Sequence, residues 1–343
     1  MLKPGVWKKE LFFEAPPANP FVRLYHWLSK NRVSLHLLNL PDSPTPQDAK
    51  IFERLMPHIR LSSGVYRSTF PRRFRDLDPV VNGVLAQTFP SSLQLLRVED
   101  WAASTCLTSC EWAKTLFLVF PNSKFVASDI LLFLVEIENL ESGERFIFEP
   151  DGHPLQYVNP PFVIRMQPPE HRAVLLNRFL YLRAVRRWLR LADLRTVPAS
   201  WEDPLSRDPV HRNGYRMRKL PLIHPEALHL AQNDARFLIR RQSVFDTLDD
   251  PCHAIRSMNI FNRAYFSEEQ LALGARAVIS SLLPGGIWIA GRTIREDPAA
   301  HEVTIFRKTD SGILDIVERV GPGSEIEPVA LAVSRSLVSP STP

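Results

Sequence analysis

Cysteine, glycine and long apolar runs are all scarce in this sequence. Three cysteines among 343 residues are too few for a disulfide framework, and no Cys or His pair stands at the spacing of a zinc site. The N-terminus lacks the apolar stretch of a signal peptide, and no run reaches the roughly 18 apolar residues of a membrane span. These absences predict a cytoplasmic protein with reduced, buried cysteines, no metal and no transmembrane segment.

Prolines outnumber glycines by 30 to 13, yet the composition is that of a globular protein. Hydrophobic residues make up 45% of the chain and charged residues 23%, which excludes wholesale disorder. The length suffices for one large domain with appendages or for two domains. The net charge of +5 permits an acidic partner but does not require one, because a basic patch needs clustering.

The chain falls into two parts with different patterns. Residues 1–94 contain short helical patterns interrupted by prolines, such as the spacing of Phe52, Leu55 and Ile59, and they predict a helical cap or lid. Residues 95–335 alternate strand and helix patterns, which predicts an α/β domain with a mostly parallel sheet. The predicted elements are strands at 95–101, 124–129, 237–244, 254–259 and 286–293, helices at 107–120, 130–140 and 267–283, and a closing antiparallel pair at 303–307 and 313–320.

An insertion at about 141–222 interrupts this alternation. Arg145–Phe148 and Leu155–Val158 flank a Pro-Asp-Gly turn and predict a β-hairpin. The stretch 171–194 predicts a long helix with an apolar stripe among five arginines: an ordinary solvated face, or a platform for an acidic substrate or an anionic membrane surface. Without an aromatic stacking set, these arginines argue against nucleic acid. Residues 336–343 are expected to form a flexible tail.

The ends of the first two strands are the expected ligand site, because open α/β sheets bind ligands outside the carboxyl ends of their strands. The first strand ends at Asp100 and enters the next helix through a turn of small residues, which lets a ligand approach the backbone and the helix N-terminus. The second strand ends at Asp129, whose carboxylate can accept both hydroxyls of a ribose. The structural alternatives are a helix or turn cap for Asp100 and a helix N-cap for Asp129.

This order of an acid, a small-residue turn, a helix and a second strand ending in Asp129 resembles the cofactor-binding layout of class I S-adenosylmethionine-dependent methyltransferases. Leu282–Gly286 is similar to that family's Pro-Gly-Gly turn before its fifth strand, and Met258–Ser267 to its fourth strand and the loop that follows. The closing β pair is similar to its sixth and seventh strands. The resemblance covers roughly 95–333. It implies a Rossmann-like, mostly parallel seven-stranded sheet with an antiparallel last strand, a helical N-terminal extension and a helical insertion.

The resemblance also implies S-adenosyl-L-methionine as cofactor and methyl transfer to a small molecule or a protein side chain. The family's turn glycines are replaced here by Ala102, Ser104 and Cys106, and Gln242-Ser243 stand where the third strand usually ends in an acid. Small side chains at ordinary φ would keep the turn competent, so we expect binding to be retained. The implied residues are Asp100, Ala102, Ser104, Asp129, Ser243 and Asn259 for the cofactor, Asn262 and Arg263 for the substrate, and Tyr265 and His301 as candidate catalytic groups that take the acceptor's proton.

The glycine-free turn leaves a second hypothesis open, a non-catalytic binding or regulatory protein that keeps the methyltransferase fold. A dinucleotide oxidoreductase is a weaker third, because its fingerprint also requires glycines. The structural alternatives for the later residues are loop hydrogen bonding for Asn259, Asn262 and Arg263, a partly buried ring for Tyr265, and a surface position for His301. These motifs do not specify the methyl acceptor or the oligomeric state.

Overall fold

Two compact units make up the chain, and neither is continuous in sequence. The first unit comprises Met1–Thr69 and Leu131–Pro225, and the second comprises Phe70–Ile130 and Glu226–Pro343. The predicted domains, 1–94 and 95–335, divide the chain differently, since residues 70–94 lie in the second unit and the insertion joins the first. The computed structural model describes residues 6–9, 19–21, 23–24, 33–62, 64, 67, 69–90, 93–160, 162–166, 175–198, 201, 203, 205–295 and 299–338.

The helices and strands of the described residues have the following bounds. The helices are α1 (Pro46–Leu55), α2 (Asp78–Thr88), α3 (Leu107–Val119), α4 (Leu175–Leu189), α5 (Pro225–Asn233), α6 (Glu268–Ser281) and α7 (Glu327–Val338). The strands are β1 (Leu96–Trp101), β2 (Ser123–Asp129), β3 (Phe133–Asn139), β4 (Arg145–Phe148), β5 (Pro154–Asn159), β6 (Phe162–Arg165), β7 (Val210–Arg212), β8 (Tyr215–Pro221), β9 (Phe237–Arg241), β10 (Cys252–Met258), β11 (Leu282–Arg295), β12 (Ala300–Lys308) and β13 (Leu314–Val320).

The second unit is built on a seven-stranded sheet with the order β13-β12-β11-β10-β1-β2-β9. Five adjacent strands run parallel to one another, namely β9, β2, β1, β10 and β11. Read from the β9 edge, these five follow the chain order third, second, first, fourth, fifth, which is the order of a Rossmann-like sheet. The strand order therefore confirms the predicted α/β class and places the reversal point between β1 and β10.

The far edge of this sheet differs from the prediction of an antiparallel last strand. Strands β11, β12 and β13 form a meander in which each strand is antiparallel to the one before it. The predicted closing pair is thus confirmed, but the antiparallel strand is β12, and β13 again runs in the direction of β11. The reason is that short turns can join only antiparallel neighbours, whereas a parallel neighbour needs a long crossover.

Helix α6 packs on the sheet of the second unit through an apolar face. It begins at a capping box in which Ser267 and Gln270 hydrogen-bond each other's backbone N–H groups. Its buried side chains include Leu271 and Val278, within a cluster that contains Trp288 of β11. A Cβ on Gly274 would lie 2.3 Å from the ring of Phe261, so glycine permits this close approach.

The first unit contains a six-stranded antiparallel sheet with the order β6-β5-β4-β3-β8-β7. The hairpin predicted around the Pro-Asp-Gly turn is confirmed as β4 and β5. The helix predicted at 130–140 is wrong, because this segment forms β3, and the insertion is mainly β-sheet rather than helical. Pairing overrides the apparent helical pattern: Glu136 and Glu138 of β3 lie opposite Arg218 and Arg216 of β8 and form ion pairs with them.

The described part of the N-terminal segment covers this antiparallel sheet. Helix α1 begins at a Thr45–Asp48 capping box, and Phe52 and Leu55 enter a buried cluster with Leu134 and Leu220 of the sheet. At the opposite end of the chain, α7 continues to Val338, so the predicted flexible tail is helical at its start, and 339–343 lie outside the described residues.

The long helix predicted in the insertion is present over Leu175–Leu189, and 171–174 lie outside the described residues. Within the ranges that the structure describes, no helix combines the length and apolar character needed to cross a bilayer.

Candidate functional site

The turn between β1 and α3 has a backbone conformation that usually requires glycine. Ala102, Ser104 and Cys106 have φ values of 55°, 54° and 59°, in the left-handed region. The expectation of ordinary φ at these positions is therefore wrong. The turn is held by hydrogen bonds, since Ala103 N–H donates to the Ser128 carbonyl at 2.9 Å and Cys106 N–H to the Ala103 carbonyl at 2.8 Å.

Asp129 at the end of β2 contacts this turn directly. Its Oδ2 accepts a hydrogen bond from the backbone N–H of Ser104 at 2.8 Å, and its side chain is buried. The N-cap alternative for Asp129 is wrong, because the residues after Ile130 form β3 rather than a helix. A carboxylate has about four acceptor positions, so Asp129 can also accept hydrogen bonds from a ligand.

Asp100 has a different environment from Asp129. Its Oδ1 accepts a hydrogen bond from Arg256 Nε at 3.0 Å, and its Oδ2 accepts from Arg256 Nη2 and Ser109 Oγ, both at 2.6 Å. The Asp100 side chain is buried at the β1–β10 boundary. Asp100 is therefore the partner of a buried arginine, a contact that the sequence did not indicate, and its expected role towards a cofactor stays a prediction.

Arg256 bridges two buried carboxylates. Besides Asp100, its Nη1 donates to Asp78 Oδ1 of α2 at 2.8 Å. The guanidinium carbon lies 4.9 Å and 4.3 Å from the ring centroids of Phe74 and Trp112, within cation–π range. Burial raises the pKa of Asp78 to about 7, against the opposing effect of the Arg256 charge. Two buried carboxylates share one cation here, and the nearby Asp100 charge contributes to the raised pKa of Asp78.

The residues predicted after the third strand lie in a tight loop. β9 ends at Arg241, and Gln242 N–H donates to the carbonyl of Asp129 at 3.2 Å. Ser243 N–H donates to Asp246 Oδ2, also at 3.2 Å, and Ser243 Oγ accepts from Phe245 N–H. These contacts place the Asp246 carboxylate beside the end of β9.

The residues predicted after β10 mostly form hydrogen bonds within their own loop and with β11. Asn259, with φ of 62°, donates its N–H to the Gly291 carbonyl, and its Oδ1 accepts from Thr293 N–H, both at 2.7 Å. Asn262 Oδ1 accepts from Tyr265 N–H. Arg263 N–H donates to Glu325, and the Arg263 residue is exposed. Loop hydrogen bonding therefore accounts for the contacts of Asn259 and Asn262.

The two candidate catalytic residues lie in different surroundings. Tyr265 is half exposed, whereas His301 is only 8% exposed, so the surface alternative for His301 is wrong. His301 Nδ1 lies 3.2 Å from Thr293 Oγ1, which also accepts a hydrogen bond from Arg73 Nε at 3.1 Å. Burial, and then the Arg73 charge, lower the pKa of His301, so its imidazole is neutral near pH 7.

Sequence reasoning missed Arg256, Asp78, Arg73 and Thr293. Arg256 carried a usable signal, because an arginine in the middle of a predicted central strand indicates a buried charge that needs a carboxylate partner. The contact of Asp78 with Arg256 and that of Arg73 with Thr293 each join positions more than 170 residues apart in sequence. No local sequence pattern encodes such contacts.

Among the described residues, one group of acidic and histidine side chains in the first unit lies close enough together to hold a metal ion. Ligand atoms of Glu149, Asp151 and His153 lie within 4.8 Å of one another at the β4–β5 turn. Glu149 accepts hydrogen bonds from Ser62 N–H and Oγ, and His153 Nδ1 pairs with Asp151 at 2.9 Å. These contacts already engage all three side chains, so we assign no metal to the cluster.

No protein-family model and no curated protein matches the sequence. Matching solved structures include the amino pentose methyltransferase CalS10 from Micromonospora echinaspora, with a TM-score of 0.30 and 10% identity over 76% of this chain and 82% of that one. DesVI from Streptomyces venezuelae matches with a TM-score of 0.31 and 8% identity over the same shares. The S-adenosylmethionine-dependent methyltransferase SibL matches with a TM-score of 0.26 and 9% identity over 66% of this chain, and the match spans only 38% of the length of SibL. At such TM-scores the fold assignment depends on the strand order, and any function depends on the site residues.

Proposed function

We propose that the second unit binds S-adenosyl-L-methionine at the carboxyl ends of β1 and β2 and transfers its methyl group to a small molecule or a protein side chain. One observation carries this proposal: the turn with left-handed φ at Ala102, Ser104 and Cys106, joined to the Asp129 carboxylate by a hydrogen bond. It lies beside the point where the strand order reverses, where open α/β sheets bind nucleotides.

The physical basis of binding is the polarity of the turn and of α3. The N-terminus of α3 places the positive end of its dipole at the surface that the turn forms, and this end attracts negative charge. The carboxylate of the methionine moiety suits this surface. Asp129 would accept the ribose hydroxyls, and Ser243 and Asn259 flank the same edge of the sheet.

S-adenosyl-L-methionine supplies an electrophilic methyl group: the sulfur–carbon bond breaks, the electron pair stays on sulfur, and a lone pair of the acceptor forms the new bond. The protein mainly has to position the two reactants in line. Asn262 and Arg263 are the proposed acceptor contacts. A neutral His301 can take the acceptor's proton, with exposed Tyr265 as the other candidate.

Calorimetric titration of the full chain with S-adenosylhomocysteine tests the cofactor site. We expect Asp129→Ala to weaken binding by about 1.5–3 kcal/mol, the scale of hydrogen bonds to a charged group, which is tenfold or more in Kd. Asp234→Ala is the matched control, because Asp234 precedes the amino end of β9 and so lies at the end of the strands opposite the proposed site. Absence of binding to folded wild-type protein, or equal affinity in both variants, would contradict the proposal.

A non-catalytic, nucleoside-binding protein is the second candidate, and the engagement of Asp100 favours it. Hydrogen bonds from Arg256 and Ser109 occupy three of the about four acceptor positions of that carboxylate, so Asp100 has little capacity left for a ligand. Incubation with methyl-labelled S-adenosylmethionine and fractionated small-molecule and protein extracts separates the two candidates. Binding without any labelled product favours the second, and a labelled product favours the enzyme.

A further inference from the structure

Helix α4 of the first unit exposes a face that is both apolar and basic. Phe179, Leu182 and Leu189 are 60%, 43% and 62% exposed. Arg186, and Arg190 directly after the last residue of the helix, are also exposed. At about 100° per residue, these side chains fall within roughly 120° of one another around the helix axis. They therefore form one continuous surface, which we call the α4 face; it also includes exposed Arg183.

The opposite side of α4 already fixes the helix to its unit. Ala184 and Trp188 are buried, and the Trp188 ring lies 5.6 Å and 5.0 Å from the rings of Phe146 and Phe148. The α4 face is therefore not needed for the core. Three large apolar side chains on one exposed surface indicate an interaction site.

The charge of this surface selects its partner. The sequence of α4 contains no acidic residue. Arg187, on the flank, forms an ion pair with Glu144, whereas Arg183, Arg186 and Arg190 form no ion pair with any described residue. The α4 face thus presents positive charge together with Phe and Leu, which is the combination found on helices that lie in the interface of an anionic bilayer.

We propose that the α4 face docks the protein on an anionic lipid membrane. The arginines contact lipid phosphate and carboxylate groups, and Phe179, Leu182 and Leu189 enter the boundary of the acyl chains. A convex helix face suits a planar, deformable surface better than it suits a small acidic ligand, which needs a concave site. A nucleic acid would leave the three apolar side chains without a partner.

Sedimentation of the full chain with vesicles tests this proposal. We expect binding to vesicles that contain phosphatidylserine, little binding to phosphatidylcholine alone, and loss of binding at high salt. Arg186→Gln should reduce the partition coefficient about fivefold, since each arginine near the surface contributes on that scale. Phe179→Ser should also reduce it. All of these positions are exposed, so circular dichroism and melting should match wild type.

Two variants elsewhere serve as matched controls. Leu118→Ser removes an apolar side chain that is 82% exposed on α3, and Arg276→Gln removes an exposed arginine on α6. Both should bind vesicles like wild type. Failure of the folded wild type to bind phosphatidylserine vesicles, or an equal effect of the α4 and control variants, overturns the proposal. Binding to heparin that needs Arg186 but not Phe179, with no vesicle binding, would assign the face to a soluble polyanion instead.

Discussion

Restoring glycine at Ala102 should stabilise the protein, although glycine usually destabilises. With φ of 55°, Ala102 carries the cost of an L-residue in the left-handed region, about 1–2 kcal/mol. Glycine removes this cost but adds freedom to the unfolded chain, worth about 0.4–1 kcal/mol. We therefore expect Ala102→Gly to raise the free energy of unfolding by about 0.5–1 kcal/mol, measured as a higher urea midpoint at an unchanged slope.

The neighbouring Ala103 provides the control for this prediction. Ala103 is buried and is absent from the residues with positive φ, so Ala103→Gly relieves no strain. It should lower the free energy of unfolding by about 1–2 kcal/mol through the lost methyl burial and the added chain entropy. Affinity for S-adenosylhomocysteine should be nearly unchanged in Ala102→Gly, because the backbone keeps its conformation. If both glycine variants destabilise equally, the reasoning about the turn is refuted.

Three further predictions concern the buried arginine and the sheet. The pKa of Asp78 in the folded protein is raised from its ordinary value of 3.8 to about 7, so the protonated side chain stabilises the fold below about pH 4 and this stabilisation is lost as the pH rises to about 7. Asp78→Asn should remove this dependence, which amounts to a change on the order of 1–4 kcal/mol in the free energy of unfolding between about pH 4 and pH 7. Arg256→Ala leaves two buried carboxylates without a cation. It should lower the free energy of unfolding by about 3–5 kcal/mol, measured by urea unfolding at pH 8. Gly291→Ala should lower the free energy of unfolding by about 1–3 kcal/mol, because the added Cβ would lie 2.3 Å from the carbonyl oxygen of Glu302. In contrast, a Cβ added at Gly83 of α2 would have no atom within 4 Å, so Gly83→Ala should raise the free energy of unfolding by about 0.5–1 kcal/mol.

The sequence predicted the second unit better than the first because its signals are local. Strand β1 carries Asp100 next to its last residue, β2 ends at Asp129, and α6 begins at a capping box. The Pro-Gly-Gly sequence lies in the first residues of β11, so several elements carry a local signal near their boundaries. In contrast, β3 was predicted as a helix, because its apolar residues allow either structure and its pairing with β8 joins residues that are about 80 positions apart. Non-local pairing of this kind leaves no periodic trace in either strand.

The candidate site was only partly predictable, for a related reason. The positions of Asp100, Asp129 and the small-residue turn followed from the strand–helix alternation. The role of Asp100 did not, because it depends on Arg256, which is 156 residues away in sequence. The turn itself was misjudged on steric grounds: small L-residues were expected to avoid left-handed φ, but Ala102 and its two alternate neighbours adopt it.

Strained backbone is concentrated at the proposed site. Six described residues other than glycine have positive φ, and four of them, Ala102, Ser104, Cys106 and Asn259, follow the carboxyl ends of β1 and β10. Such residues persist only where their surroundings determine the conformation, and they cluster at ligand-binding sites. Here the hydrogen bonds of Ser104 to Asp129 and of Asn259 to Thr293 supply that constraint. The strained turn beside the strand-order reversal therefore supports the proposal that its backbone contacts a ligand.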